Sequence, residues 1–210
     1  MIMDSNVQFN RFYNLDSIEE RLINFLIKSD SDDANRIWKL LKYNSMDALL
    51  KENLTRKERS KLIDEGNGDQ STYRVFKQSF IEDAFVEEAS LLKFYIDSTI
   101  PVNHLVSTVN IGIDIMTHNK MQLVYNDSTD ELENEPLYRE IEKNIITKNR
   151  NSVLLKCLLS EFNGKYVEGV GQLQFNQQLC YYSQARNGIF NNKNYNGFKL
   201  LIACQMSGVN

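Results

Sequence analysis

The stretch "VNIGIDIMTHNKM", residues 109–121, alternates cleanly between two sets of side chains. A period of two is the signature of a β-strand, whose successive side chains point to opposite faces of a sheet. One face carries Val109, Ile111, Ile113 and Ile115, and the other carries Asn110, Gly112 and Asp114. The "THNK" segment has the composition of a turn, and "MQLVY" follows it as a second short strand. The sequence therefore predicts a β-hairpin here.

Further strands and helices flank this hairpin. "LLKFYID" (91–97) also alternates, with Leu92, Phe94 and Ile96 opposite Lys93, Tyr95 and Asp97. "GFKLLIACQM" (197–206) is a continuous apolar run typical of a buried strand. "SVLLKCLLSEF" (152–162) offers Val153 or Leu154, Cys157, Leu158 and Phe162 to a core at helical spacing, and "LYREIEKNI" (137–145) is a second helical patch.

The chain before residue 66 has helical rather than strand periodicity. Four runs indicate short helices, "DSIEERLINFL", "SDDANRIWKLL", "SMDALLKEN" and "TRKERSKLIDE". Ser17 with Glu20 and Thr55 with Glu58 have the spacing of capping boxes. "GNG" at 66–68 marks a boundary, so we predict an N-terminal helical segment over 1–68 and an α+β domain over 69–210. The fold class is α+β, with short helices followed by a mostly antiparallel sheet packed with one or two helices.

Composition narrows the function classes. A net charge of -4 and a pI near 5.3 argue against a broad nucleic-acid-binding surface or a polybasic membrane anchor. The basic cluster Arg56, Lys57, Arg59 and Lys61 is interrupted by Glu58 and has the spacing of a solvated helix face. We also expect no cleaved signal and no disulfide framework, since the three cysteines are scattered. These features favour a protein partner.

Asp114 is the one residue with a catalytic precedent. "IGID" resembles the first strand of ribonuclease H-like nucleases and actin-like phosphotransferases, in which the aspartate would bind a metal. Two-metal chemistry requires several converging carboxylates, yet no aspartate follows Asp130. We therefore expect no enzyme activity and no catalytic, cofactor or metal-binding residue, with a metal-dependent nuclease that uses Asp114 as the alternative.

Other residues with chemical potential lack supporting patterns. His104 and His118 and the three cysteines have no close-spaced pairs of the kind that form zinc sites, and His118 suits the hairpin turn. Cys157 lies on a predicted apolar helix face and is expected in the core. The acidic segment 127–135 lacks the pattern of a calcium loop, so we expect it to face solvent or a partner.

The order of elements resembles that of tailed-bacteriophage neck proteins, the head-tail connector, adaptor and tail-completion proteins. The elements that carry this resemblance are the N-terminal helices, "LLKFYID", "VNIGIDIM", "SVLLKCLLSEFNGK", "GVGQLQF" and "FKLLIACQ". The resemblance implies a structural virion protein made in the host bacterial cytoplasm. Such a protein forms a ring between portal and tail, contacts portal, adaptor or tail proteins, and lets packaged DNA pass through its lumen without sequence-specific binding. A host-directed phage protein absent from the virion is a further alternative.

Residues 176–197 form an aromatic, Asn- and Gln-rich segment that is unusually long for a free loop. A ring subunit has to bury part of its surface against its neighbours. Tyr181, Tyr182, Phe190 and Tyr195 are therefore the candidate subunit-interface residues. The acidic segment 127–135 would face the DNA channel, where negative charge keeps the duplex from adhering.

Overall fold

The computed structural model describes residues 15–66, 70–77, 87–102, 106–125, 147–175 and 194–207. The fold class is α+β, as the sequence predicts. The helices are α1 (Ile18–Lys28), α2 (Asp32–Lys42), α3 (Arg56–Ser60) and α4 (Arg150–Phe162). The strands are β1 (Val75–Phe76), β2 (Ser90–Pro101), β3 (Val106–His118), β4 (Leu123–Tyr125), β5 (Thr147–Asn149), β6 (Tyr166–Val167), β7 (Gly171–Phe175) and β8 (Tyr195–Ser207).

Six of these strands form one curled sheet in the order β1-β2-β3-β8-β7-β6. The β1–β2 pair is parallel and the other pairs are antiparallel. Three strands of 12 or 13 residues, β2, β3 and β8, make its centre. The short strands β4 and β5 form a separate antiparallel pair.

The predicted hairpin between "VNIGIDIM" and "MQLVY" is wrong in its pairing. Strand β3 pairs with β2 on one side and β8 on the other, so neither edge is open to β4. A 3-10 turn at Asn119–Met121 redirects the chain, and the side chain of Gln122 donates hydrogen bonds to the carbonyls of Thr117 and His118. The observed hairpin is β2–β3.

The N-terminal helices mostly follow their sequence signals. Helix α3 has the predicted capping box between Thr55 and Glu58, and Ser31 caps α2, its hydroxyl accepting a hydrogen bond from the Ala34 amide at 3.0 Å. The predicted capping box at Ser17 is wrong, because its hydroxyl instead accepts a hydrogen bond from Arg21. The "SMDALLKEN" run contains only a 3-10 turn at Ala48–Leu50.

Helices and sheet share one hydrophobic core. Apolar side chains of α1, α2 and α4 are buried in it together with Val109, Ile111, Ile113 and Ile115 of β3. A smaller cluster of Phe76, Ala89, Leu91, Met116 and Tyr195 forms separately. The predicted domain boundary at residue 68 lies outside the described residues, as does the predicted helix over 137–145.

Candidate functional site

Asp114 lies at the centre of a buried polar network on the sheet. Its side chain is 3% exposed and forms an ion pair with Lys93 Nζ at 2.9 Å. Its second carboxylate oxygen accepts a hydrogen bond from the Tyr95 hydroxyl at 2.9 Å. Lys93 lies directly opposite Asp114 in the β2–β3 register, so strand pairing places the two charges together. The polar side chains of this strand are therefore buried and satisfied within the protein.

Gly112 explains the "IGID" pattern in steric terms. It pairs with Tyr95 across the strands, and a Cβ at this position would lie 2.6 Å from Cζ of the tyrosine ring. The absence of a side chain lets the ring lie across β3 and reach Asp114. Burial, followed by the nearby Asp114 charge, raises the pKa of the Tyr95 hydroxyl, which remains a donor at neutral pH.

The network continues towards the edge of this face. Lys199 of β8 forms an ion pair with Asp97, and its ammonium lies 5.3 Å from the centroid of the Tyr95 ring. A cation over an aromatic face is favourable, so Lys199 also holds that ring in place. Lys93 of β2, Asp114 of β3 and Lys199 of β8 are register partners, so positive, negative and positive side chains alternate across the three central strands.

This arrangement fits a structural role for Asp114. Both carboxylate oxygens are engaged, so a metal ion would have to displace Lys93 or Tyr95. A two-metal site needs additional acidic ligands around the same point. Among the described residues, no group of three or more His, Cys, Asp or Glu side chains is placed to hold a metal ion.

Of the four predicted interface residues, only Tyr195 is described. It is 6% exposed, packs edge-to-face on His118 at 5.3 Å, and donates from its hydroxyl to the carbonyl of Glu87. Its ring therefore belongs to the intramolecular core. Tyr181, Tyr182 and Phe190 lie outside the described residues, where their interface role stays a prediction.

Cys157 and His118 both occupy buried positions. Cys157 is 1% exposed in the core, as predicted, and burial raises the pKa of its thiol, which donates to Asp33 at 3.3 Å. A thiol held protonated in this way is a weak nucleophile. His118 ends β3 and accepts from the Lys120 amide at 3.3 Å. His104, Cys180 and the acidic segment 127–135 lie outside the described residues.

Three buried arginines were not anticipated from the sequence. Arg150 is fully buried and donates to the carbonyls of Leu40, Tyr43 and Ser45 at 2.7 to 3.1 Å. Burial lowers its pKa to about 10, which still leaves it protonated at neutral pH. Arg74 is the second buried arginine, and it donates to the carbonyls of Ser71 and Tyr73.

Arg59 is the third, and the predicted solvated basic face is wrong for this residue. It is 3% exposed and donates to the carbonyls of Leu54, Ile27 and Ser29. The carbonyls of Ile27 and Ser29 lie at and just after the end of α1, where carbonyls have no intrahelical partner, and that of Leu54 lies just before α3. A lone arginine in a polar run gives no sequence signal for such a role.

A cavity of about 330 Å³ lies between α2, β5 and the start of α4. The side chains around it combine three cations with polar and apolar groups. They are Arg36, Leu49, Lys148, Asn149, Ser152, Val153, Lys156 and Cys157. A cavity of this size and mixed character is at the small end of the range for ligand sites.

The far end of the β2–β3 hairpin is exposed and apolar. Ile100 and Val102 are 53% and 57% exposed, whereas Leu92 and Phe94 on the same strand are fully buried. The β-bulge between Ile96 and Ser98 separates these two parts. In the part of the chain that the structure describes, no helix is long and apolar enough to cross a membrane.

The described residues form an α+β fold with a buried polar network on its central sheet. The model of the YomW family matches residues 34–204, and the chain belongs to that family. The family is of a phage-encoded, Bacillus prophage type, so this is a phage-associated protein. No curated protein and no solved structure matches the chain.

Proposed function

We propose that this phage protein is a structural subunit of the virion neck, forming part of the head-tail connector ring that joins portal to tail. The observation that carries the proposal is the exposed apolar end of the β2–β3 hairpin, with Ile100 and Val102 more than half exposed. A subunit contact would remove these side chains from water, which is favourable in proportion to the apolar area buried. Neighbouring subunits or the portal, adaptor and tail proteins are the partners.

The architecture supports a ring subunit in a second way. Strand β8 pairs with β3 as far as Val106, and the other half of the hairpin contains the buried Lys93–Asp114 pair, so the exposed end is held on a rigid base. Rigid presentation lowers the entropy lost on association. The net charge of -4 suits a lumen through which DNA passes without adhering.

The nuclease alternative receives no such support. Its only candidate residue, Asp114, is paired with Lys93 and Tyr95 inside the protein. Nothing in the geometry favours the host-directed alternative over the connector.

Composition of purified virions is the first test. We expect mass spectrometry to find this protein in particles, and immunogold labelling to place it between head and tail. A protein absent from the particle would be the host-directed alternative, and the connector proposal would fail. Labelling at another position of the virion would retain a structural role and reject the neck assignment.

Paired substitutions then test the hairpin. Ile100→Ser together with Val102→Ser should yield folded protein but heads and tails that do not join, measured by electron microscopy and infectious titre. Tyr166→Ser, a matched change at a 72% exposed residue of β6, serves as the control. Normal assembly with the double hairpin variant would show that this surface does not take part in joining heads to tails. Tyr181→Ser with Tyr182→Ser tests the predicted interface in the same assay.

A further inference from the structure

Four exposed apolar side chains lie together on a second part of the surface, which we name the β4 patch. They are Met46, Leu50, Leu123 and Tyr125, with exposed fractions of 41, 64, 48 and 38%. Leu123 and Tyr125 alternate with the buried Val124, so both point outward from β4. The amide of Tyr125 donates to the carbonyl of Met46 at 2.8 Å, and the 3-10 turn that ends at Leu50 packs against β4. Contacts between two chain segments thus hold the patch together.

Exposed apolar side chains are grouped rather than scattered. In the part of the chain that the structure describes, seven large apolar side chains are exposed. Four of them form the β4 patch, Ile100 and Val102 form the hairpin end, and Tyr166 stands apart on β6. Single exposed apolar residues are ordinary on a protein surface, whereas grouped ones mark contact sites. The protein therefore has two apolar surfaces that a partner would cover with a gain in free energy.

The two surfaces lie at opposite ends of strand β3. The hairpin end precedes Val106, where β3 begins, and β4 follows the 3-10 turn after His118, where β3 ends. Thirteen residues at about 3.3 Å each span roughly 40 Å along the strand. Arg150 places the patch in the same way, because it donates to the hydroxyl of Ser90, beside the last turn of the strand pair, and to the carbonyl of Ser45, next to the patch.

Surfaces at opposite ends of a subunit suit head-to-tail association. In a two-fold contact one surface meets its own copy, whereas in a head-to-tail contact two different surfaces meet, and repetition of that contact can close a ring. The hairpin end has suitable chemistry, since no Asp, Glu, Lys or Arg occurs between Asp97 and Asp114. It can therefore enter an apolar surface without removing a charge from water.

We propose that the β4 patch of one copy receives the hairpin end of the next copy, with Ile100 and Val102 packed on its apolar side chains. This inference rests on the proposed connector function, because it names the surface that the hairpin end contacts in the ring. Both surfaces are small compared with a stable dimer interface, which buries about 1,200 to 2,000 Å². We therefore expect weak association in solution and a stable contact where many copies assemble on the portal or tail.

Thiol crosslinking tests which surfaces meet. Val102→Cys and Leu123→Cys are combined on one chain in a Cys180→Ser background, where the remaining cysteines, Cys157 and Cys204, are buried. A short bismaleimide should then join successive copies into a ladder of covalent multimers, both in the concentrated protein and in purified particles. The length of β3 between the two positions prevents the reagent from joining them within one chain.

Variants with one introduced cysteine separate head-to-tail from two-fold contacts. Neither Val102→Cys nor Leu123→Cys alone should form crosslinked dimers, because each thiol faces a surface that lacks one. Tyr166→Cys combined with Val102→Cys is the matched control, since Tyr166 is 72% exposed but belongs to neither surface. This control should give no ladder.

Paired charges test whether the two surfaces are complementary. Val102→Asp and Leu123→Lys should each weaken association about tenfold or more, since each buries a charge without a partner. With both substitutions on one chain, every head-to-tail contact contains one pair of opposite charges, and association should recover. Sedimentation of the concentrated protein and infectious titre measure this change. Both positions are about half exposed, so the isolated fold should tolerate the substitutions, which NMR spectra of each variant verify.

Three results would overturn the head-to-tail contact. They are crosslinked dimers from either variant with one introduced cysteine, no ladder from the variant with both, and no recovery when the two charges are combined. Particles that contain the protein but yield no ladder would reject this contact and leave the connector role intact. Absence of the protein from particles would instead reject the connector role, and crosslinking of the concentrated protein would then decide the contact.

Discussion

The two ends of the β2–β3 hairpin are built from the same strands but have opposite surroundings. At the end near Ser90 and His118, both residues of each cross-strand pair are buried, and this holds for polar and apolar side chains alike. At the other end, Thr99 to Val102 are exposed. The β-bulge between Ile96 and Ser98 marks the change.

This difference shows how one pair of strands serves two purposes. In the buried end, charges are retained by pairing them, as with Lys93 and Asp114. At the exposed end, Ile100 and Val102 lie in water, where an apolar side chain adds nothing to the stability of the isolated protein. Stability should therefore depend on the first end and association on the second.

The largest effect should come from breaking the buried ion pair. Asp114→Ala leaves Lys93 buried without its partner, so the free energy of unfolding should fall by about 3 to 5 kcal/mol. Urea denaturation measures this change. Asp97→Ala, which removes the more exposed pair with Lys199, should cost less than about 1 kcal/mol. Similar small losses of stability for Asp114→Ala and Asp97→Ala would show that burial of the Lys93–Asp114 pair does not make it more important for stability.

A smaller effect should follow from adding a methyl group at Gly112. Gly112→Ala forces the Tyr95 ring off β3, and should destabilise the protein by about 1 to 3 kcal/mol. The penalty should largely disappear in a Tyr95→Ala background, where the ring is absent. A double-mutant cycle measures this coupling. Additive effects would mean that the glycine serves some purpose other than making room for the ring.

Alkaline pH should lower the free energy of unfolding through the buried hydroxyl of Tyr95. The folded-state pKa of Tyr95 is raised above its usual value near 10, so above that pH the unfolded state loses its proton first. Stability from this group is thus complete below pH 10 and declines as pH rises, by up to about 1.4 kcal/mol per pH unit. Tyr95→Phe should have a shallower decline between about pH 10 and 11.5 in urea titrations. An unchanged slope would contradict the role of Tyr95.

The smallest effect on stability should come from the exposed end. Ile100→Ser and Val102→Ser should each change the free energy of unfolding by less than about 0.5 kcal/mol, because both side chains are mostly in water already. Leu92→Ala, on the buried part of the same strand, should instead cost about 2 to 5 kcal/mol. A large loss for the serine variants would mean that the hairpin end packs within its own chain.

Local patterns predicted the strands and helices well but not their partners. The alternation in β2 and β3 and the apolar faces of α1, α2 and α4 follow directly from side-chain periodicity. The pairing of β3 with β8 joins residues about 90 positions apart, as in Ile111 with Ile202. The sequence contains no local signal for such a contact, and the predicted pairing with the nearer segment "MQLVY" is therefore wrong.

The candidate site was even less accessible to sequence reasoning. A polar residue on an alternating strand suggests solvent, yet Asp114 is buried because Lys93 lies opposite it only after the two strands have paired. The basic cavity likewise combines Arg36 with Lys148 and Lys156, which are more than 100 positions away. Spacing within a motif cannot reveal residues that meet through tertiary structure.

Arg150 has a consequence for the order in which the protein folds during synthesis. The carbonyls of Leu40, Tyr43 and Ser45, at and just beyond the end of α2, are satisfied by a side chain more than 100 residues further along the chain. The ribosome releases the N-terminal helices well before it reaches this arginine. These helices should therefore remain loosely packed on the nascent chain, and become protected from proteases only after α4 has emerged.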